Sequence, residues 1–224
     1  MRSLGVSRVP TSDIGEPRST ARSRRERIPR EERRRQIIEA AATLFSRKGF
    51  RGTTTREIAG AIGVSEAMLF KHFATKEELY AAIIEAKSHG RRVLDAAVQA
   101  AEREDDAEVL RTLAREMIER TRADPTLMRL TFFSALEGHA LSEIMFRSRV
   151  QQLDDFLSRY ITKRIAAGAF RSVDTLQATW NFFGMVAYHV QLRELFGQKP
   201  PRHLTTERAV EEMVALFLHG VRRA

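Results

Sequence analysis

The sequence predicts an all-α protein, because helical periodicity recurs along the chain while helix breakers are few. Its 224 residues include only 6 prolines and 12 glycines, and 30% of them are charged. This composition favours long helices over many short strands. Apolar residues recur at helical spacing, as Ile37, Ala41, Leu44 and Phe45 do. No segment shows the alternation of apolar and polar residues that is typical of a half-buried strand, so we expect helices throughout.

The first two predicted helices have clear start and stop signals. One runs from Glu31 to Lys48 and stops at Gly49, directly after two basic residues. The next begins at Thr54, whose side chain caps the helix while Glu57, three residues later, returns the bond to the backbone of Thr54. The pair Thr54 and Glu57 therefore predicts a capping box.

Two further helices follow closely. Gly63 is suited to the left-handed turn that ends the second helix, because glycine adopts positive φ without steric cost. Ser65 caps a third helix that runs to about His72. Thr75 and Glu78 predict a second capping box, which begins a helix through Ala86.

The remaining predicted helices are longer and have apolar faces. Breakers such as Asp124-Pro125 and the segment 197–201 separate them. Their expected spans are Ala107–Arg122, Thr126–Glu137, Leu141–Ala167, Asp174–Phe196 and Glu207–Val221.

Composition excludes several classes of protein. With no cysteine, the chain has no disulfide, no cysteine-ligated zinc site and no thiol catalysis. The first residues lack the continuous apolar stretch of a secretory signal, and no run of about 18 apolar residues predicts a transmembrane helix. We therefore expect a cytoplasmic protein that does not enter membranes.

The positive charge is concentrated at the N-terminal end. Residues 1–76 carry 17 Lys and Arg against 8 Asp and Glu, so the net charge of +9 lies there and the rest of the chain is neutral. A basic module on a neutral body favours a polyanionic partner, of which nucleic acid is the most common. Residues 1–29 are rich in Arg, Ser and Pro and predict a disordered basic arm. The arm either contacts DNA or only keeps the protein in solution.

The stretch 54–73 has the pattern of a helix-turn-helix. Two short helices meet at Gly63, and Ile58, Ala59 and Leu69 supply their inward face. Small Ala59 permits close helix approach. In this motif the second helix enters the major groove of DNA with its N-terminal residues first. A generic helical hairpin would show the same pattern, but the local positive charge favours DNA binding.

This stretch resembles the N-terminal domain of TetR-type transcriptional regulators. The matching residues are Gly49-Phe50, Thr54-Thr55, Ile58-Ala59, Gly63-Val64-Ser65, Leu69-Phe70, His72-Phe73, Lys76 and Leu79. The resemblance implies three parts: the arm 1–29, a helix-turn-helix domain 30–78 and a helical ligand-binding and dimerisation domain 79–224. It also implies a homodimeric repressor that binds a palindromic operator in double-stranded DNA and is released by a small apolar or amphipathic ligand.

The resemblance assigns DNA contacts to three groups of residues. Thr54, Thr55 and Arg56 would bind phosphate at the start of the second helix, where free amides and the helix dipole also attract an anion. The recognition helix would read bases through Ser65, Glu66, Ala67 and Met68. Backbone contacts would come from Phe70, Lys71, His72 and Lys76.

Two residues depart from the family pattern. Ala67 stands where the family often has glycine, and Phe70 stands where it usually has tyrosine. Phe70 has no hydroxyl to donate to a phosphate, so its ring packs without that bond. For His72, packing or phosphate contact is favoured over metal ligation.

No catalytic set is visible in the sequence. The histidines fall in no metal-ligand spacing, and no Gly-x-Ser-x-Gly, P-loop or dinucleotide-binding pattern occurs. The acidic pairs have the spacing of solvated surface charge. We therefore expect no enzyme activity, no cofactor and no metal.

Bulky apolar side chains in the middle helices predict a ligand site. Most such residues form a core, but aromatic groups around a cleft also line ligand pockets in helical bundles. The expected lining residues are Phe132, Phe133, Phe146, Trp180, Phe183 and Tyr188.

The last two helices are predicted to form the dimer interface. The apolar stripe of the final helix, around Val214 and Phe217, is wider than one packing partner needs. Trp180 and Gly184 belong to a matching face on the preceding helix. The alternative is a buried helix pair within one monomer.

Two other functions stay open at this point. One is a non-specific basic DNA-associated protein in which the arm dominates binding. The other is an all-α enzyme or carrier whose basic arm is incidental.

Overall fold

The computed structural model describes residues 28–87, 91–138 and 150–223, without the side chains of 91–93. Ten helices lie within these ranges. Their bounds are α1 Arg30–Lys48, α2 Thr55–Ala61, α3 Glu66–Phe70, α4 Lys76–Lys87, α5 Arg91–Glu102, α6 Asp106–Ala123, α7 Thr126–Leu136, α8 Gln151–Ala166, α9 Thr175–Glu194 and α10 Thr206–Val221.

Helices α1 to α4 enclose the first hydrophobic core. The α1 stripe contributes Ile37 and Phe45, and α2 and α3 contribute Ile58 and Leu69, all with no exposed surface. The stripe works because residues four apart along a helix lie on one face. Truncation of a leucine such as Leu69 to alanine in a core of this kind costs about 2–5 kcal/mol. The core thus fixes α2 and α3 against α1.

The second core lies in the C-terminal body, where α6 is central. Helix α6 packs against α5, α9 and α10, and α8 packs against α9. Leu113, Leu157, Phe182 and Val214 come from four of these helices and are almost completely buried. The body is therefore a bundle with α9 and α10 side by side on one flank.

Helix α7 connects the two cores. It follows α6 in sequence but packs across α1, and its Leu130 is fully buried in the first core. The Tyr80 hydroxyl of α4 donates a hydrogen bond of 3.1 Å to the Leu130 carbonyl. Burial raises the pKa of Tyr80 to about 12, so this donor keeps its proton at neutral pH. The N-terminal core is thus completed by a helix from the second half of the chain.

The predicted all-α fold is confirmed over the described ranges, where the β structure is a single bridge between Phe170 and Arg222. Predicted and observed helix ends mostly agree within two residues. Helix α5 was not predicted. Of the helix predicted over Leu141–Ala167, residues 151–166 are helical and residues 141–149 lie outside the described residues.

The proposed division at residue 78 falls inside α4, and it stays a prediction. Most of the basic arm, residues 1–27, also lies outside the described ranges. Within those ranges, no helix combines the length and the apolar content needed to cross a membrane.

Candidate nucleic-acid interface

The capping box that the sequence predicts at the start of α2 is present. The Thr54 hydroxyl accepts from the Glu57 amide at 3.2 Å, and the Glu57 carboxylate accepts from the Thr54 amide at 2.9 Å. Lys48 Nζ lies 2.6 Å from the same carboxylate. The hydrogen bond from Lys48, followed by those from Thr54, lowers the pKa of Glu57 to about 2. The end of α1 and the start of α2 are therefore joined by a carboxylate that stays ionised.

The turn between α2 and α3 also forms as the sequence predicts. Gly63 has a φ of +67°, in the left-handed region, and Ser65 accepts from the Met68 amide at 3.2 Å to cap α3. A further bond joins the two helix starts: Thr55 Oγ1 donates to Glu66 Oε2 at 2.7 Å. A predicted phosphate-contacting residue and a predicted base-reading residue are thus held against each other.

Most of the predicted DNA-contacting residues are exposed. Thr54, Arg56, Lys71 and the four residues 65–68 are exposed, and Thr55 is half-buried. Met68 and Phe70 keep 38% and 46% of their surface exposed, which is unusual for large apolar side chains on so short a helix. Both side chains are therefore available for contact with a partner.

Lys76 has a different environment from the other basic residues of this set. It is half-buried, and its Nζ lies 4.2 Å from the centroid of the Phe50 ring and 5.8 Å from that of Phe45. Burial lowers the pKa of Lys76, while Glu77 and Glu137 act in the opposite direction. The ammonium therefore rests on the aromatic cluster at the end of α1, and its predicted phosphate contact stays untested.

Glu137 was not among the predicted functional residues, yet it forms a long-range contact with the motif. Its carboxylate accepts from the Phe50 and Arg51 amides, each at 3.2 Å. Gly49, just before them, has a φ of +75°, and a Cβ there would lie 2.9 Å from Phe133 Cδ1. The C-terminal end of α7 is thus bonded to the loop that leads into α2.

A second connection runs through Lys87 at the end of α4. Its ammonium bonds to Glu39 of α1 at 2.9 Å and to Asp124, after α6, at 3.1 Å. These partners are 48 and 37 residues away in sequence, so no local pattern indicates them. Lys87 therefore ties the N-terminal core to the body in addition to Glu137 and Tyr80.

The structure does not gather the predicted ligand-lining residues in one described cavity. Phe133 faces Gly49, Phe132 is 38% exposed, and Phe183 packs beside Phe182 at the edge of the second core. Trp180 and Tyr188 are 47% and 61% exposed on α9. Phe146 lies outside the described residues. The ligand-binding role of this set stays a prediction.

Trp180 has a specific partner in α8. Its indole Nε1 donates to the Asp154 carboxylate at 3.0 Å. Asp154 is 6% exposed, and burial raises its pKa, against the effect of the tryptophan bond. The bond fixes one edge of an otherwise exposed ring. Among the described residues, no three His, Asp or Glu side chains gather as a metal site requires.

Helices α9 and α10 carry several large apolar side chains that are exposed. Leu176 is 44% exposed and Leu216 is 66% exposed, in addition to Trp180 and Tyr188. A cleft of about 320 Å³ between the helices is lined by polar and apolar groups that include Gln177, Asn181, Met185 and Leu216. Val214 and Phe217, which the sequence placed in the dimer stripe, are buried at 2% and 6% within the monomer. Val214 and Phe217 therefore belong to the core within one chain, whereas Leu216 faces outwards.

Comparison with known families covers both halves of the chain. Residues 37–83 match the model of bacterial regulatory proteins of the tetR family. Residues 108–220 match the model of the C-terminal domain of AefR-like transcriptional repressors.

Individual relatives agree with these matches. The transcriptional activator FasR of Mycolicibacterium smegmatis is 42% identical over 72 residues, which is 32% of this chain and 33% of FasR. The chain thus aligns with about a third of that relative. The transcriptional regulator RutR of Escherichia coli K12 is 26% identical over 198 residues, which is 85% of this chain and 91% of RutR. The crystal structure of AibR with isovaleryl coenzyme A and operator DNA superposes with a TM-score of 0.64 at 26% identity, covering 83% of this chain and 97% of AibR.

Proposed function

The chain belongs to the TetR family of bacterial regulatory proteins, and we propose that it binds a palindromic DNA operator as a homodimer and regulates transcription in the cytoplasm. One observation carries the proposal. The N-terminal half of α3 is capped, exposed and aligned with the start of α2 by the bond from Thr55 to Glu66. An oriented, solvent-facing helix start next to exposed cations has the geometry for entering a major groove.

Within this proposal, the two helix starts have different tasks. The exposed Arg56 and the N-terminal amides of α2 bind phosphate and set the position of the motif without sequence preference. Glu66 accepts from a cytosine amino group, and Met68 contacts a thymine methyl. The bond from Thr55 leaves Glu66 Oε1 to the DNA while it restricts the side chain to one orientation.

The homodimer forms through α9 and α10. Four large apolar side chains stay exposed there, namely Leu176, Trp180, Tyr188 and Leu216. Exposed large apolar side chains favour an interaction surface, and we assign these four to the contact between two copies of the chain. Two copies of the motif then meet successive major grooves if their recognition helices are about 34 Å apart.

The regulator acts as a repressor, and a small apolar or amphipathic molecule releases it from its operator. The C-terminal match to a repressor domain covers half of the chain, whereas the activator FasR aligns with only 72 residues. AibR, which superposes on 83% of this chain, was crystallised with an acyl-coenzyme A and operator DNA. In this chain a ligand that displaces α7 would act on the motif through Glu137 and Tyr80. If the ligand binds a hundredfold more tightly when α7 is displaced than when the motif is arranged for DNA, it weakens operator binding by about 2.7 kcal/mol.

Selection of bound sequences from a random duplex pool, with the full chain, tests this function. A palindromic consensus is expected, and its affinity should survive excess random duplex at roughly physiological salt, because only specific binding resists a competitor. Enrichment of no sequence, with equal affinity for all duplexes, would support the non-specific alternative. Failure to bind any duplex at low salt would leave the enzyme or carrier.

Matched variants separate the two classes of contact. Glu66→Ala should change the selected consensus, whereas Arg56→Ala should weaken binding to every sequence alike. Glu119→Ala is the control, because Glu119 is exposed on α6, away from the motif. An unchanged consensus for Glu66→Ala would remove this residue from the base-reading set.

A further inference from the structure

The bond between Thr55 and Glu66 limits what the Thr55 hydroxyl can do. Thr55 is the first residue of α2, and Glu66, eleven positions later, is the first residue of α3. The hydroxyl donates to Glu66 Oε2 at 2.7 Å, a length that is typical of a strong bond between a hydroxyl and a carboxylate. A hydroxyl has one proton to donate and can otherwise only accept. While this bond is present, the Thr55 hydroxyl has no proton for a second acceptor.

A phosphate of the DNA backbone would be such a second acceptor. Its charged oxygens have no proton, so they can accept hydrogen bonds but cannot donate them. A phosphate placed beside Thr55 Oγ1 would therefore meet lone pairs instead of a proton. It would also lie close to the Glu66 carboxylate, and like charges repel. A phosphate contact of the Thr55 hydroxyl and its observed bond to Glu66 thus exclude each other.

The surrounding contacts favour the bond to Glu66. The start of α2 is fixed independently, because Glu57 bonds to the Thr54 amide at 2.9 Å and to Lys48 of α1 at 2.6 Å. Thr55 is half-buried, and its β-branched side chain has few rotamers. The hydroxyl therefore has a defined position, to which the carboxylate of Glu66 is held.

Glu66 depends on this bond for its orientation. Its side chain is exposed, and among the described residues the hydroxyl of Thr55 is the hydrogen-bond partner of its carboxylate. A free glutamate side chain samples many rotamers, and restricting them when a partner binds reduces affinity. A glutamate that is held in one orientation before binding avoids this loss.

We propose that Thr55 is a positioning residue for base reading, whose hydroxyl orients Glu66 and takes no part in phosphate contact. This inference rests on the proposed DNA binding, and it departs from the phosphate role that the family resemblance assigns to the Thr55 side chain. With Oε2 bonded to Thr55, Oε1 is left to accept from a base. The amino group of cytosine can donate to it, whereas guanine presents only acceptors in the major groove. Thr55 therefore contributes to the choice of base and not to the affinity for every duplex.

The test compares Thr55→Val and Thr55→Ser in the full chain. Valine keeps the shape of threonine without the hydroxyl, serine keeps the hydroxyl, and both keep the backbone amide. Affinity is measured for the selected operator, for random duplex, and for the operator changed at the base pair that Glu66→Ala no longer distinguishes. Thr55→Val should reduce the preference for the selected base pair about two- to tenfold, the range expected when one side chain loses its fixed orientation. Its affinity for random duplex should be unchanged, and Thr55→Ser should keep the preference of wild type.

Thr112→Val is the matched control. Thr112 is also half-buried, and its hydroxyl also donates to a glutamate, Glu108, at 3.4 Å, but both residues lie on α6 outside the motif. This variant should keep both the affinity and the base preference of wild type.

A second measurement combines Thr55→Val with Glu66→Ala. If Thr55 acts through Glu66, the double variant should have the same base preference as Glu66→Ala alone. A general defect in the packing of α2 would instead weaken binding to every duplex, and its effect would not be confined to one base pair.

The outcomes distinguish this role from the proposed function. If wild type selects a consensus but Thr55→Val weakens binding to operator and random duplex by the same factor, the positioning role is refuted and DNA binding stands. A base preference that Thr55→Val leaves unchanged, or a loss that adds to that of Glu66→Ala, also refutes it. If wild type binds no duplex, the proposed function fails and the positioning role fails with it.

Discussion

The contact between Gly49 and the end of α7 gives the sharpest prediction about this fold. Gly49 has φ +75° and ψ 176°, a backbone conformation that is essentially restricted to glycine. A Cβ at this position would lie 2.9 Å from Phe133 Cδ1 and much closer to the Glu137 carboxylate. Gly49→Ala must therefore strain the backbone and displace the side chains of α7.

The expected loss is the sum of two parts. Forcing alanine into this region costs about 1–3 kcal/mol. Displacing the Glu137 carboxylate breaks its bonds to the Phe50 and Arg51 amides, and because the carboxylate is half-exposed we assign each bond about 1 kcal/mol. Gly49→Ala should therefore reduce the free energy of unfolding by about 3–5 kcal/mol. In a chain of this size that corresponds to a fall of roughly 10 °C in Tm.

Thermal and urea unfolding of the full chain measure this loss. Gly60→Ala is the matched control: Gly60 lies inside α2, and a methyl group added there would meet no atom within 4 Å, so alanine should be neutral or gain about 0.5–1 kcal/mol. Glu137→Ala alone should cost about 1–2 kcal/mol. In the Gly49→Ala background it should cost nothing, because the bonds are already broken. The reasoning is wrong if Gly49→Ala stays within about 1 kcal/mol of wild type, or if the two losses simply add.

Three further predictions concern the body and the DNA surface. Leu216→Glu should give a folded monomer with weakened operator binding. Val98→Glu, which changes another exposed apolar residue, on α5, should stay dimeric. Sedimentation of both variants at micromolar concentration measures whether each is a monomer or a dimer. We expect operator affinity to rise as the pH falls below 6.5, because burial and the arginines of α1 lower the pKa of His72 in the free protein and a phosphate bound to it would raise that pKa. His72→Gln should remove this dependence. Fluorescence of Trp180, the one tryptophan of the chain, should change in an acid titration as Asp154 takes up a proton above the usual range for Asp, and Asp154→Asn should abolish that step.

The DNA-binding half was largely predictable because its signals are local. A cap such as Thr54 and its partner Glu57 are three residues apart, and the turn at Gly63 needs one residue of a particular kind. Each signal acts within one turn of helix, so a short stretch of sequence is enough to predict where the helix begins or ends. The same holds for the apolar stripe of α1.

The missing parts have physical reasons. The apolar residues of α5 recur at helical spacing, so its pattern could have predicted it, but the residues that it buries completely, Ala97 and Ala100, are small. The size of a side chain does not show which side of α9 is buried: Trp180 and Tyr188 are at least as large as Phe182, but they are exposed while Phe182 lies in the core. Which side of a helix is buried depends on the helices that pack against it, and the sequence alone does not show which helices these are.

The contacts of α7 were the least predictable, because they join residues far apart in the sequence. Glu137 and Phe50 are 87 residues apart, and Tyr80 and Leu130 are 50 apart. Glu137 bonds two successive amides, which resists rotation as well as separation, while Tyr80 fixes the middle of the same helix. Helix α7 therefore cannot shift along α1 without moving the loop that begins α2. Because α2 and α3 are joined by Thr55 and Glu66, we expect a displacement of α7 to change the direction in which α3 faces.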